Sequence, residues 1–514
     1  MPSSPQSRAP TSLIRVQLHH EPVSLDPALA EDGVSLLILN NLFEGLMGYD
    51  GSGKLVNRMA ESYSISADRK RYEFSLRKNA KWSDGEPVRV QDFITGLRRA
   101  LGPKTTAKLA TLLFPIRGAQ AFHDGKLTQN ELGIKEENGK LVIELDHPAP
   151  YLIEALTLPS TFPQRQDILD ANEGKWPERG PVNGPYQILS HALDQKISLK
   201  ENPSYSRSPY ENHPKGQAPS SSESQPQNKV SQIDFYIVQE ESTALNLFLK
   251  DRLDLLTRIS AFDLPRLKKM GLLHTDPFLA TYYLAFNCRK PPFQDSKLRR
   301  AIASVIKRDE ITALLGSGET PAWGWIPPGL EGNILYQNPA QYYGISGANA
   351  KKENPFPETL EAVFDSGERN SRIMEKIQQD VSQSLGIRLS LNHMDWRTYV
   401  KTVQTNTPPI YRLGWLSPFM DPLPHLRIFK TNDVNNQAGF SNAHYDSLVE
   451  QIESLPPGRV RENLIQQAQN ILIEEAPIVP IYHYVQNSAV ARRVKGFRIN
   501  PFGIIQFQEI SMEK

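Results

Sequence analysis

The sequence predicts an α/β protein of two or three domains, and three observations lead there. The chain has 514 residues, more than one hydrophobic core sustains. From Val230 onward, short alternating apolar runs trade places with segments of helical period, the pattern of strands separated by helices. Hydrophobic residues make up 39% and charged residues 22%, the balance of an ordinary globular chain.

The elements follow in order. Ile14 to Leu18 alternates as a strand and ends in the turn Ser24-Leu-Asp-Pro27. An apolar helix is expected from Val34 to about Leu46. Residues 72–77 and 141–146 read as strands of a small sheet, with helical segments around 90–101 and 108–114 between them. Asn183 to Leu189 and Lys196 to Lys200 alternate like a hairpin. The stretch 211–232, with Ser220-Ser-Ser222 and Gln225-Pro-Gln-Asn228, cannot bury apolar area and reads as a mobile surface loop.

The second half repeats the alternation. Strands are expected at 233–238, 254–256, 281–287, 387–391 and 478–485. Helices are expected at 243–249, 297–302, 372–385, 445–452 and 460–475. In the last strand, period two turns Tyr482 and Tyr484 to one face and His483 to the other.

Composition excludes several functions. Lys and Arg number 58 against 57 Asp and Glu, a net charge of +1, which gives no electrostatic footprint for nucleic acid or an anionic membrane. Cys288 is the only cysteine, so neither an internal disulfide nor a zinc site of paired cysteines is possible. No apolar run reaches the ~18 residues that span a bilayer. The sequence contains no G-x-S-x-G, no G-x-x-x-x-G-K-[ST], no H-E-x-x-H and no G-x-G-x-x-G after a strand. Cys288 beside Arg289-Lys290 has no motif-level partner and reads as an inert thiol. His19-His20 and the pair His393/His483 are candidate metal ligands, but adjacent histidines on a strand point to opposite faces, so His19-His20 cannot readily chelate together, and no metal site and no cofactor is expected.

What remains is an ordered set of short motifs: Ser24-Leu-Asp-Pro27, Leu42-Phe-Glu-Gly-Leu46, Leu76-Arg-Lys-Asn-Ala-Lys-Trp-Ser-Asp-Gly-Glu-Pro-Val88, Asp92-Phe93, Pro159-Ser-Thr161, Asn183-Gly-Pro-Tyr186, Pro292-Phe293, Val305-Ile-Lys-Arg308, Gly414-Trp415 and Ile478-Val-Pro-Ile-Tyr-His-Tyr484. In this order the chain resembles the extracytoplasmic solute-binding proteins of ABC importers, in their peptide/nickel-binding family and its oligopeptide-binding branch. The resemblance implies a two-lobed periplasmic-binding-protein fold with an extra domain, a hinge and a ligand cleft between the lobes. Lobe I would be 1–43, 161–279 and 486–514, the small extra domain 44–160, and lobe II 280–485. A monomer is expected that binds a peptide without transforming it and delivers it to a permease in the inner membrane. It implies a periplasmic protein or membrane-anchored lipoprotein whose signal segment is absent from this chain. A nickel chelate is the alternative solute; a peptide-processing enzyme or chaperone-like binder is the alternative of another class.

The resemblance also places the ligand. It would lie extended, its main chain pairing with Arg412-Leu-Gly414-Trp415-Leu416-Ser417, with Glu31 and Gly33 opposite, a form of strand addition. Trp396, Trp415 and Tyr484 would supply rigid apolar area with polar edges. Arg412 would fork onto a ligand carboxylate or serve a salt bridge inside the lobe. In peptide-binding relatives an aspartate three residues after this tryptophan holds the ligand's α-amine; here Pro418 stands there, in Gly414-Trp-Leu-Ser-Pro-Phe419-Met-Asp421. Three outcomes stay open: Asp421 turns in, Glu31 takes the role, or the ligand carries no free amine there; N-blocked and murein-derived peptides are both among the expected ligands.

Overall fold

A computed structural model describes residues 12–30, 32–103, 105, 108–206, 229–333 and 357–513. The chain forms two compact units, one running to Asp276 and resuming at Gln486, the other Pro277–Val485. It passes from one to the other inside two long strands, Leu273–Phe286 and Ile478–Val490.

In the first unit, Leu13–Leu18 lies parallel to Gln232–Ile237, pairing Leu13 with Gln232 through Leu18 with Ile237. Leu255–Leu256 flanks the first strand on its other side and pairs with the end of Ile478–Val490. The expected hairpin, Tyr186–Ala192 with Lys196–Glu201, completes this sheet beside Gln232–Ile237. Most of the expected loop 211–232 lies outside the described residues, but its end is sheet: Lys229 bridges to Ser511 and Gln232 opens a strand.

The first helix is Gly33–Leu42, capped by Asp32, whose carboxylate accepts from Ser35 N at 3.0 Å. It is shorter than the apolar run predicts. Beyond Leu42 the main chain is taken by other partners: Gly184 N donates to Leu42 O at 2.8 Å, and the Asn183 side chain holds both Glu44 N and Glu44 O. A β-carbon on Gly184 would stand 2.6 Å from the Leu42 carbonyl carbon, so this close approach requires glycine. Phe43 turns extended, and the remaining apolar residues enter a loop and the strand Met47–Tyr49.

The segment 44–160 carries a separate antiparallel sheet: Ala60–Ile65, Arg71–Leu76, Lys140–Glu144 and Ile134–Glu137. The amphipathic helix Val90–Leu101 buries Phe93 and Leu97. Trp82 donates Nε1 to Asp92 at 3.0 Å, and the same carboxylate accepts from Arg89 N at the helix start. The conspicuous Trp-Ser-Asp-Gly motif therefore serves folding. The expected helical segment near 108–114 is a 3-10 helix over residues 108–113.

The second unit orders its strands Arg388–Met394, Thr359–Asp365, Ile410–Leu416, Leu273–Phe286, Ile478–Val490. Helices Ser296–Val305 and Glu368–Leu385 contribute Ile302, Ile373 and Ile377 to a core with Leu284, Phe286, Phe364, Val479 and Ile481. Helix boundaries extend the expected ones by a few residues where caps allow: Ala443–Ser454 starts on Asn442, which accepts from Tyr445 N at 3.0 Å.

Candidate functional site

The site grows from the main-chain alternation of one strand. Ile410–Leu416 runs antiparallel to Leu273–Phe286, from Phe286↔Ile410 to Ala280↔Leu416. Ser417 N donates to Leu279 O at 2.8 Å, and Asn287 N to Pro409 O at 2.9 Å. Odd-numbered residues of this strand thus turn their N–H and C=O toward Leu273–Phe286, and Arg412, Gly414 and Leu416 turn theirs the other way. On that side the parallel neighbour Thr359–Asp365 pairs only at Ala362↔Ile410 and Val363↔Tyr411.

The two strands fork just beyond, and the fork is plugged. Tyr399, fully buried in helix Trp396–Thr405, brings its hydroxyl to the main chain of Arg412. It accepts from Arg412 N at 3.1 Å, donates to Arg412 O, and lies 3.4 Å from Val363 O. Past this point the Gly414 and Leu416 main-chain groups face a side that Thr359–Asp365 no longer covers, and Gly414 is exposed.

Aromatic and charged side chains surround this edge. Tyr282 lies opposite Gly414 and stacks on Tyr482 at 4.8 Å between centroids, with Tyr484 4.9 Å from Tyr482. Tyr482 and Tyr484 share a face, as the period-two reading predicts. The Arg412 guanidinium stands 5.3 Å from the Tyr282 ring and 5.9 Å from Trp396, within cation–π range. Its charge is matched by Asp365, an ion pair across the fork. Arg369, from the first turn of Glu368–Leu385, covers Tyr482 and Tyr484 at 5.3 and 5.8 Å and is paired with Glu319. Among the described residues the Tyr282 hydroxyl and Arg412 Nε have no hydrogen-bond partner.

The opposite face is a buried polar layer. Trp415 pairs with Thr281, whose Oγ1 meets His483 Nδ1 at 2.9 Å and donates to Trp325 O at 3.1 Å. Trp415 and Tyr484 therefore flank the open edge from opposite faces. Burial pushes the His483 and His425 imidazoles down to about 3, the latter with help from His483. Both are neutral side chains of the interior.

The remaining expected residues fall into place unequally. Trp396 is 57% exposed beside Arg412. Ser417 is buried, its hydroxyl donating to Phe419 O at 2.7 Å. Phe419 is fully buried, and Asp421 is buried too, gripped by Arg461 at 2.6 and 2.8 Å while it accepts from Leu423 N at 2.8 Å. Burial pushes the Asp421 carboxyl up and the Arg461 charge opposes this. Both expectations are corrected: these side chains are interior, and turning Asp421 outward would strand a buried guanidinium. Gly33 opens the first helix of the other unit, and Glu31 lies outside the described residues.

Among the described residues no group of three His, Cys, Asp or Glu could hold a metal. Burial, only partly opposed by Arg299, holds the Cys288 thiol above its ordinary value. Sequence reasoning missed Tyr399, Asp365, Arg369 and Glu319. A signal existed for the first: Asp395 three residues before Thr398 is an N-cap, accepting from Thr398 N at 3.1 Å, and the helix it starts carries Tyr399.

An α/β fold crossed twice by long strands, with an open strand edge among aromatic side chains, is that of the two-lobed periplasmic solute-binding proteins. The chain belongs to the bacterial extracellular solute-binding proteins, family 5, whose middle region matches residues 54–437. It is 28% identical over 527 residues to the oligopeptide-binding protein OppA of Bacillus subtilis, covering 98% of this chain and 93% of that one. The structure of the Escherichia coli murein tripeptide binding protein MppA matches with a TM-score of 0.85 at 28% identity, covering 98% of this chain and 99% of that one. Haemophilus influenzae OppA in complex with RPPGFSPFR matches with a TM-score of 0.81 at 25% identity, covering 98% and 100%.

Proposed function

We propose that this protein binds short peptides through their main chain and delivers them to the permease of an ABC importer. The observation that carries the reading is the edge at Gly414 and Leu416, where main-chain groups face a side without a strand partner. Such an edge recognises an extended peptide irrespective of its side chains. Trp396, Trp415 and Tyr484 offer rigid surface beside it, and Arg412, held by Asp365, adds a fixed positive group. The names of the relatives, which bind oligopeptides and a murein tripeptide, support the same class of ligand. A peptide without a free amine at this point suits Pro418 in place of an acid. The protein acts outside the cytoplasm as a monomer, by itself or held by a lipid anchor; no described helix is long and apolar enough to cross a membrane.

Native mass spectrometry of the protein as purified tests this. Carried-over ligand with peptide masses, released unchanged after incubation, is the expected result. A metal chelate, or a peptide consumed during incubation, would overturn it.

A further inference from the structure

We propose that Tyr399 is a positioning residue that sets how far a peptide's main chain can pair along the open edge. The inference rests on the peptide-binding reading and goes beyond it to ligand length. A strand edge recognises a ligand only through groups that are not already bonded. Ile410 pairs with Ala362 of Thr359–Asp365, and Tyr411 turns its main-chain groups the other way, to Leu273–Phe286. At Arg412 the neighbouring strand has gone, yet the edge is closed: the Tyr399 hydroxyl satisfies both N–H and C=O, doing the work of a peptide group.

The plug is firmly placed. Tyr399 is fully buried, its hydroxyl also approaches Val363 O, and Trp396 on the same helical face covers the Arg412 guanidinium. The Arg412–Asp365 ion pair spans the same fork. What remains open is Gly414 and Leu416, two outward-facing residues. An extended ligand uses every second residue on one side, so this edge serves about three ligand residues. A longer peptide must leave the edge at Tyr399, and its further residues gain nothing from main-chain pairing there.

The test uses the full chain and N-acetylated, C-amidated oligoalanines of increasing length from two residues, titrated calorimetrically. With the native protein, affinity should rise to about three residues and then level off. Tyr399→Phe removes the hydroxyl but keeps the ring, so melting temperature falls while the plateau stays. Tyr399→Ala clears the fork and exposes the Arg412 main chain. The plateau should then move outward by at least one residue, the added residue improving affinity about three- to tenfold, the worth of a net hydrogen bond. A merely structural tyrosine would change stability and leave the length profile alone. An unmoved plateau in a folded Tyr399→Ala protein would refute the proposal. So would steady gains beyond three residues in the native protein, a result that decides the matter even where the alanine variant does not fold. In both cases peptides still bind and only the stop fails; if no length binds at all, the peptide reading falls with it.

Discussion

Tyr484 lies across the face of Gly414, its hydroxyl 3.0 Å from where a β-carbon on Gly414 would stand. The glycine is not there for a left-handed backbone; it sits in regular strand, opposite Tyr282. Its lack of a side chain lets an aromatic ring lie flush beside an exposed main chain. Gly414→Ala should therefore push Tyr484 aside, because the atom in the way is the far end of a side chain. Unfolding free energy should fall by only about 1 kcal/mol, as for mild overpacking, while peptide affinity falls tenfold or more. Calorimetry beside urea unfolding separates the two; unchanged affinity would remove Tyr484 from the site.

The Arg412–Asp365 pair makes a second prediction. Both side chains are about nine-tenths buried, with exposures of 10% and 11%. Removing one partner of a buried pair leaves the other charge unmatched, at a cost of about 3–5 kcal/mol. Asp365→Asn should show that loss in urea unfolding. Replacing both, Arg412→Met with Asp365→Leu, should recover most of the stability, since apolar replacement of a buried pair is commonly near neutral. A double variant as unstable as the single one would show that the guanidinium is held by more than Asp365.

Stability should depend on pH through histidines of opposite sign. His483 and His425 are held neutral, with values near 3. Unfolding returns them to about 6.5, so their contribution is complete above that pH. It is lost as pH falls toward 3, at up to about 1.4 kcal/mol per pH unit for each. Neither nitrogen of His425 has a hydrogen-bond partner among the described residues, so His425→Leu should flatten the acid limb and sacrifice no bond. His191 works in the other direction. Burial lowers it, but Glu178 at 3.0 Å and Glu21 at 3.1 Å outweigh burial and raise its pKa. Its contribution is complete below about pH 6.5 and disappears as pH rises through the raised value. His191→Gln should cost stability at pH 5.5 and progressively less at alkaline pH. Urea midpoints across pH 4–9 check both limbs.

Period and composition made legible those elements of the second unit that repeat their pattern, but not the strand Thr359–Asp365 or the helices Arg308–Leu315 and Trp396–Thr405. Tyr482 and Tyr484 are the clearest case, since period two alone assigns their shared face. The first helix was misread at its end because apolar character says nothing about Gly184 and Asn183, more than 130 residues away, claiming the main chain after Leu42. Of the candidate site, the strand of Gly414 and Trp415 was legible, since the family motif carries both residues. Tyr399 and Asp365 escaped, because their roles come from a fork between two strands that are adjacent in space, not in sequence. Asp421 was misjudged for the same reason: nothing near it in the chain announces Arg461.

Pro418 carries the last prediction. Where the family resemblance leads one to expect an aspartate for the ligand's amine, this chain has a residue with no carboxylate and no N–H. Asp421, the nearest acid along the chain, is committed to Arg461, and releasing it would leave a buried charge unpaired. Acetylating a peptide ligand should therefore cost little here, less than about threefold in affinity. Pairing at Gly414 and Leu416 should survive the change, because on the proposed reading those groups meet main chain and not the amine. Pro418→Asp should then favour free-amine over acetylated peptides by about tenfold or more, the worth of a charge-assisted hydrogen bond. Titrating one peptide in both forms, against both proteins, decides it. A hundredfold loss on acetylation with the native protein would mean that another carboxylate holds the amine. Glu31→Gln would then be the next variant to measure, and a loss that survives it would rule that residue out as well.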